Sequence, residues 1–193
     1  MKIVYFLLVF AIATTTISCK KKENKNAENT TSEEVVTVEA EPEVKKLKVT
    51  LEPKSGSNAR GTVIFNQNDG EVYMTALFEG LTEGSHAIHI HESSDCSAPD
   101  GTSTGGHWNP TRSQHGKWGD ETGYHRGDIG NFTVDASGNG SISFKTDEWC
   151  IGCDDPTKNI IGKAIIVHEG VDDFTTQPTG DAGGRVSCGG IIE

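Results

Sequence analysis

Positive charge is scarce in this chain: Lys and Arg number 17 against 28 Asp and Glu, a net charge of −11. That argues against a nucleic-acid partner, whose phosphates need a basic face. Long apolar runs are also scarce. The marked one, Ile3 to Ala13, is too short for a comfortable membrane span. From residue 47 onward no stretch shows a helical period, which argues against a helical domain. Between Lys20 and Lys46 large aromatic residues are lacking, and Asn, Thr, Glu and Lys dominate. Such a segment cannot bury enough apolar surface to offset its ordering entropy and reads as a flexible tether.

The N-terminus has a brief basic start, Met1-Lys2, then the apolar run, then Thr14-Thr15-Thr16-Ile17-Ser18 before Cys19. This order describes a secretion signal. The alternative, a buried N-terminal helix, would find nothing to pack against in the polar segment that follows. Ser18-Cys19 resembles the lipobox of bacterial lipoproteins, in which the Cys carries the lipid, although Thr16 stands where Leu is usual. The expected organisation is a signal peptide over 1–18, a lipidated Cys19 with its tether over 19–46, and a folded domain over 47–193. A lipid on Cys19 implies a membrane partner and a place in the bacterial cell envelope. Ordinary cleavage there would give a secreted protein. Loss of 1–18 removes only Lys2, so an anionic substrate would have to be attracted by local charge.

Strand signals recur through the domain. Leu47, Val49 and Leu51 alternate with polar residues, as do Val63 and Phe65, then Val72, Met74, Ala76 and Phe78, then Phe132 with Val134 and Ile142 with Phe144. Asn68-Asp69-Gly70 and Asp135 to Gly140 supply turns. The pattern predicts an all-β fold of about eight strands, a sandwich or barrel. The rhythm breaks between Glu92 and Arg126, a Gly-, Ser-, Asp- and His-rich stretch of roughly three dozen residues, and loops of that length are usually functional or disordered.

That loop and its flanks carry most of the seven histidines. In Ile88-His89-Ile90-His91 the two histidines project from one face of a strand and the isoleucines from the other. Two adjacent imidazoles make half a transition-metal site, though a lone His-x-His also occurs as simple surface polarity. His107, His115, His125 and Asp128 supply three imidazoles and a carboxylate, a complete tetrahedral set for zinc; solvated loop histidines are the plainer alternative. His168 ends the apolar run Ala164-Ile165-Ile166-Val167, a buried strand whose last residue would face its neighbours at the sheet's edge. Histidine coordination without thiolate suits redox-cycling copper, and three His with Asp suits zinc.

The segments Gly80 to Glu92, Gly106-His107-Trp108-Asn109-Pro110, His125-Arg126-Gly127-Asp128-Ile129-Gly130-Asn131, Val167-His168-Glu169 and Gly180-Asp181-Ala182-Gly183-Gly184-Arg185 with Cys188-Gly189 resemble, in order, the motifs of the Cu/Zn superoxide dismutases. The resemblance spans essentially all of 47–193. It implies an eight-stranded antiparallel Greek-key barrel or sandwich with a long metal-binding loop. It implies copper on His89, His91, His107 and His168, and zinc on His107, His115, His125 and Asp128, with His107 bridging. Asp172 then links a copper ligand to a zinc ligand and orients both rings. His86 stays off the metals. The implied activity is disproportionation of superoxide to oxygen and hydrogen peroxide, with Arg185 docking the anion and His107 helping to supply protons. An ordinary surface ion pair is the plainer role for Arg185. Family members differ in their interfaces, so monomer and homodimer both stay open.

The resemblance also implies a Cys96–Cys188 disulfide. Cys150 and Cys153, in Trp149-Cys150-Ile151-Gly152-Cys153, are an addition to the family pattern. A local disulfide is favoured for an exported domain, and a metal or redox Cys-x-x-Cys is the alternative. Asp173 to Pro178 contains no lysine, whereas eukaryotic members carry a longer charged loop there; electrostatic steering should therefore rest on Arg185. The rival to an enzyme is a lipoprotein that stores copper or zinc on the same scaffold.

Overall fold

The computed structural model describes residues 44–193. The expected signal peptide, Cys19 and most of the tether lie outside the described residues. Eight strands follow one another: β1 (Lys45–Pro53), β2 (Arg60–Asn68), β3 (Glu71–Glu79), β4 (Gly84–His91), β5 (Gly130–Val134), β6 (Gly140–Thr146), β7 (Ala164–His168) and β8 (Arg185–Gly190). A single short 3₁₀ helix, Thr102–Thr104, stands among the described residues.

Period-two alternation explains which side of each strand is buried. In β3, Val72, Met74, Ala76 and Phe78 point inward between exposed neighbours. Val49, Leu51, Val63, Phe65, Phe132 and Val134 join them in one continuous core. The β2–β3 turn is the two-residue pair Asp69-Gly70, both with positive φ (49° and 81°), the geometry that matches the twist of a tight hairpin.

All pairings are antiparallel and the sheet closes on itself in the order β1-β2-β3-β6-β5-β4-β7-β8. The chain crosses from β3 past β6 and β5 to reach β4, and from β6 past β5 and β4 to reach β7, so the all-β Greek-key barrel expected from the motifs is the fold found. Two details differ from the sequence reading. The barrel begins at Lys45, because Lys45 and Lys46 pair with Gln67 and Asn66, and strand pairing uses main-chain groups whatever the side chain. β7 is also an interior strand, paired with β4 as far as Val167 and with β8 through His168, so His168 stands at the end of an interior strand and not on an edge strand.

Strands β4 and β7 are buried on both faces over most of their length: Ile88 to His91 and Ala164 to His168 are all inaccessible or nearly so. Their outer faces are covered by the long β4–β5 loop. That loop is joined to β8 by a disulfide between Cys96 and Cys188, which packs with Ala164 and Ile166.

Candidate metal centre

Main-chain hydrogen bonds bring the loop histidines to β4. The Ile90 N–H donates to the Gly127 carbonyl (2.9 Å), the Trp108 N–H donates to the Ile90 carbonyl (2.8 Å), and His91 bridges His107. A Cβ on Gly127 would lie 2.1 Å from the Ile90 carbonyl oxygen, so only glycine permits this approach. The loop thus continues the sheet beside β4 and delivers His107 next to His91. On the other side, a register shift between Val167 and His168 turns the last residue of β7 toward the same place.

Two groups result, His89 with His91, His107 and His168, and His107 with His115, His125 and Asp128; in each, the potential ligand atoms lie within 4.8 Å of one another. All seven residues are buried. His107 belongs to both groups.

Hydrogen bonds to groups that can only accept determine which ring nitrogen keeps its lone pair. His91 Nδ1–H donates to the Gly105 carbonyl (2.9 Å) and His168 Nδ1–H to the Gly183 carbonyl (3.3 Å). His89 Nε2–H and His115 Nε2–H donate to the two oxygens of Asp172, each at 2.8 Å. The opposite nitrogens are therefore bare. His91 Nε2 and His168 Nε2 face each other at 3.4 Å with no proton between them. Among the buried side-chain nitrogens without a hydrogen-bond partner are His89 Nδ1, His107 Nε2, His115 Nδ1 and His125 Nδ1. A buried acceptor left unpaired costs roughly 1–3 kcal/mol, so a cluster of them is unfavourable unless a cation satisfies it. His107 Nδ1–H donates to Asp128 Oδ1 (2.8 Å), a proton that a metal in the second group would displace; with that exchange the donor set fits metal ions in both groups.

Charge supports the same reading. Burial would raise the Asp128 carboxyl, but contacts with His107, His115 and His125 hold it far below the ordinary carboxylate range. Asp172 is likewise held low against its burial by His115, His89 and the Phe174 N–H. Burial lowers His91 and His168 well below their usual range, helped by neighbouring histidines and Arg185, and lowers His107 to about 4 despite Asp128. His115 is pushed up to about 9 against its burial, because it lies between Asp128 and Asp172. Neutral imidazoles and ionised carboxylates are the forms that ligate, so His91, His107, His168 and Asp128 stand ready, whereas a metal at His115 must displace a proton.

His86 is excluded from either group by its own bonds: Nδ1 lies 2.9 Å from the His168 carbonyl and Nε2 lies 2.9 Å from the Thr82 carbonyl. Arg185, the first residue of β8, is the register partner of His168, and its guanidinium is held by the long loop. Its Nη1 donates to the Gly101 carbonyl (2.8 Å) and Thr104 Oγ1 (2.9 Å), and its Nη2 donates to the Gly105 carbonyl (2.9 Å). Cys150 and Cys153 form a disulfide on the β6–β7 connection. That connection braces the β4–β5 loop from outside: Trp149 Nε1–H donates to the Arg126 carbonyl (2.8 Å), and Arg126 pairs with Glu148.

A family model described as copper/zinc superoxide dismutase matches residues 59–191. The chain belongs to the copper/zinc superoxide dismutase family. Similar solved structures include a SOD-like protein from Bacillus subtilis, 28% identical, covering 78% of this chain and 100% of its own with a TM-score of 0.68. A double mutant of that SOD-like protein, with a tyrosine and a proline each replaced by histidine, is 31% identical over 76% of this chain and 97% of its own (TM-score 0.67). The structure described as the clock protein EA4 is 33% identical, covering 77% of this chain and 96% of its own (TM-score 0.66).

What the residue types left unmarked are the main-chain acceptors. Gly105 and Gly183 select the tautomers of His91 and His168 through their carbonyls, and a carbonyl carries no residue-type signature. The positive φ at both glycines (75° and 78°) is the trace they leave in the sequence, as glycine itself.

Proposed function

We propose that this domain is a superoxide dismutase, converting two superoxide ions and two protons to oxygen and hydrogen peroxide. Copper would be held by His89, His91, His107 and His168, and zinc by His107, His115, His125 and Asp128. The observation that carries the reading is the convergence of bare, buried imidazole nitrogens in two groups that share His107. Bound copper would supply the one-electron couple, with zinc holding His107 and the loop in place.

The remaining work falls to the chain. Asp172 grips one ring from each group and keeps both oriented. His107 Nε2 is the atom placed to take up and return a proton. Three of the five guanidinium N–H groups of Arg185 are engaged by the loop, which leaves Nε–H and one Nη2–H to dock an anion. In a chain of net charge −11 that local positive charge is what offsets repulsion of the substrate.

The test is metal analysis of the purified protein alongside a superoxide-consumption assay. Full copper and zinc occupancy without consumption would refute the enzyme and leave a metal-binding module. His168→Ala is expected to abolish consumption and copper binding while sparing zinc; retained activity would refute the copper assignment. Cys19 is proposed to carry the lipid anchor, on the strength of Ser18-Cys19 behind the apolar run. Mass spectrometry that finds an unmodified Cys19 on the exported protein would refute it.

A further inference from the structure

Between Asp172 and Arg185 the chain lacks the lysines that would make it a steering loop, yet it is highly organised. Asp173 accepts from the Thr175 N–H (2.9 Å), the Thr176 N–H (2.8 Å) and the Thr176 hydroxyl (2.5 Å). The Gly180 N–H donates to the Thr176 carbonyl (2.7 Å) and the Asp173 N–H to the Gly180 carbonyl (2.9 Å), which closes the segment into a ring of turns. Gly180 lies so close to the Asp172–His115 contact that a Cβ there would stand 1.9 Å from Asp172 Oδ1 and 2.6 Å from His115 Nε2.

This closed segment presents one side chain to the β4–β5 loop. The His115 N–H donates to Gln177 Oε1 (2.9 Å), and Gln177 Nε2 donates back to the His115 carbonyl (2.9 Å). The amide therefore pairs with the main chain of His115 as a neighbouring strand would, with one donor and one acceptor. Its spare Nε2–H reaches the Thr175 carbonyl (3.3 Å) and holds the side chain in that pose. Two bonds on one residue define the orientation of its main chain and hence the direction of its Cα–Cβ bond. Asp172 holds the far nitrogen of the same ring. Gripped at both ends, His115 is left with its Nδ1 3.0 Å from Asp128 Oδ2.

We infer that Gln177 is a positioning residue for the zinc site, clamping the backbone of His115 while Asp172 clamps its ring. The inference rests on the zinc assignment proposed above. In place of steering, this short segment acts as a strut, and it does so on His115, which belongs to no strand or bridge. Gln177 is exposed, so water competes for both bonds and the effect belongs at the low end for an outer partner of a metal ligand.

The experiment uses the full mature protein and zinc or cobalt(II) alone. Zinc affinity is measured by chelator competition, and the visible absorption of cobalt(II) in the zinc site is recorded for wild type, Gln177→Ala, Gln177→Glu and Thr176→Val. Gln177→Ala is expected to weaken zinc about tenfold, the low end of the roughly 10–100-fold typical of such partners, and to shift the cobalt spectrum. Gln177→Glu keeps an acceptor for the His115 N–H but loses the donor, and should fall between. Thr176→Val removes a bond within the segment without touching His115; it should lower thermal stability and leave zinc affinity and spectrum near wild type. Unchanged affinity and spectrum in Gln177→Ala overturn the clamp alone, as does equal zinc loss in Thr176→Val, which would trace the effect to loop stability. Failure of wild type to bind zinc or cobalt at this site overturns the clamp and the zinc assignment together.

Discussion

Asp172→Asn exchanges one carboxylate oxygen for an NH₂ group and preserves the shape of a side chain that is completely buried. In the native arrangement both oxygens accept, one from His89 Nε2–H and one from His115 Nε2–H, each at 2.8 Å. An amide offers one oxygen. Whichever ring meets the NH₂ must present a bare Nε2, so its proton moves to Nδ1, the nitrogen needed for metal. Each hydrogen bond to a charged group contributes roughly 1.5–3 kcal/mol, and at least one is lost outright. A fall in metal affinity of about 10–100-fold follows, or about 1.4–2.8 kcal/mol at about 1.4 kcal/mol per decade. Chelator competition for zinc, with copper occupancy measured in parallel, reads the loss and shows which ring turned. Affinities for both metals within about twofold of wild type would refute the tautomer argument. The same variant has a metal-free signature. Asp172 ionises well below its ordinary value in the fold, so its stabilisation is complete above that ordinary value and drains away as pH falls toward the folded one. Asp172→Asn should therefore flatten the acid limb of metal-free stability, measured by urea melts at a series of pH values.

Two further outcomes are expected. Arg185→Ala should lower kcat/KM about tenfold, the low end of the roughly 10–10³-fold that steering supplies, and should flatten the dependence of rate on salt; identical salt slopes in variant and wild type would remove Arg185 from substrate capture. Cys96→Ser with Cys188→Ser opens a link between residues 92 apart in sequence, and loop entropy puts the destabilisation at about 4–5 kcal/mol. Urea melts showing a change under about 1 kcal/mol would mean that the long loop is held mainly by its hydrogen bonds to β4.

Much of the barrel was legible because burial on one face leaves a period of two. Val72, Met74, Ala76 and Phe78 announce β3 by that period alone. The candidate ligands were legible for a different reason: histidines are few in this chain, and the family motifs, not spacing alone, divided them into a copper set and a zinc set. Features built from the main chain were hidden. Lys45 and Lys46 look like tether, yet pair as strand. Arg185 could be named from its motif, but its three acceptors, two of them glycine carbonyls, could not. Gln177 looked like part of an uncharged stretch, since nothing in an isolated Gln says which peptide it will pair with across 62 residues.

The Gly105 carbonyl ties these scales together. It accepts from His91 Nδ1 and from Arg185 Nη2, each at 2.9 Å, and a carbonyl oxygen has lone pairs for both. The group that would dock the anion and a group that would hold copper are therefore set from one atom. The shared carbonyl thus couples the orientation of the His91 ring to that of the Arg185 guanidinium. The glycine is required at that point: φ is +75° and a Cβ would stand 2.7 Å from Glu92 Oε2. The Cys96–Cys188 link fastens the early part of the same loop to β8, the strand that Arg185 opens. Barrel strand, loop carbonyl, arginine and histidine form one mechanical unit. A long irregular loop can thus hold a site without regular structure of its own.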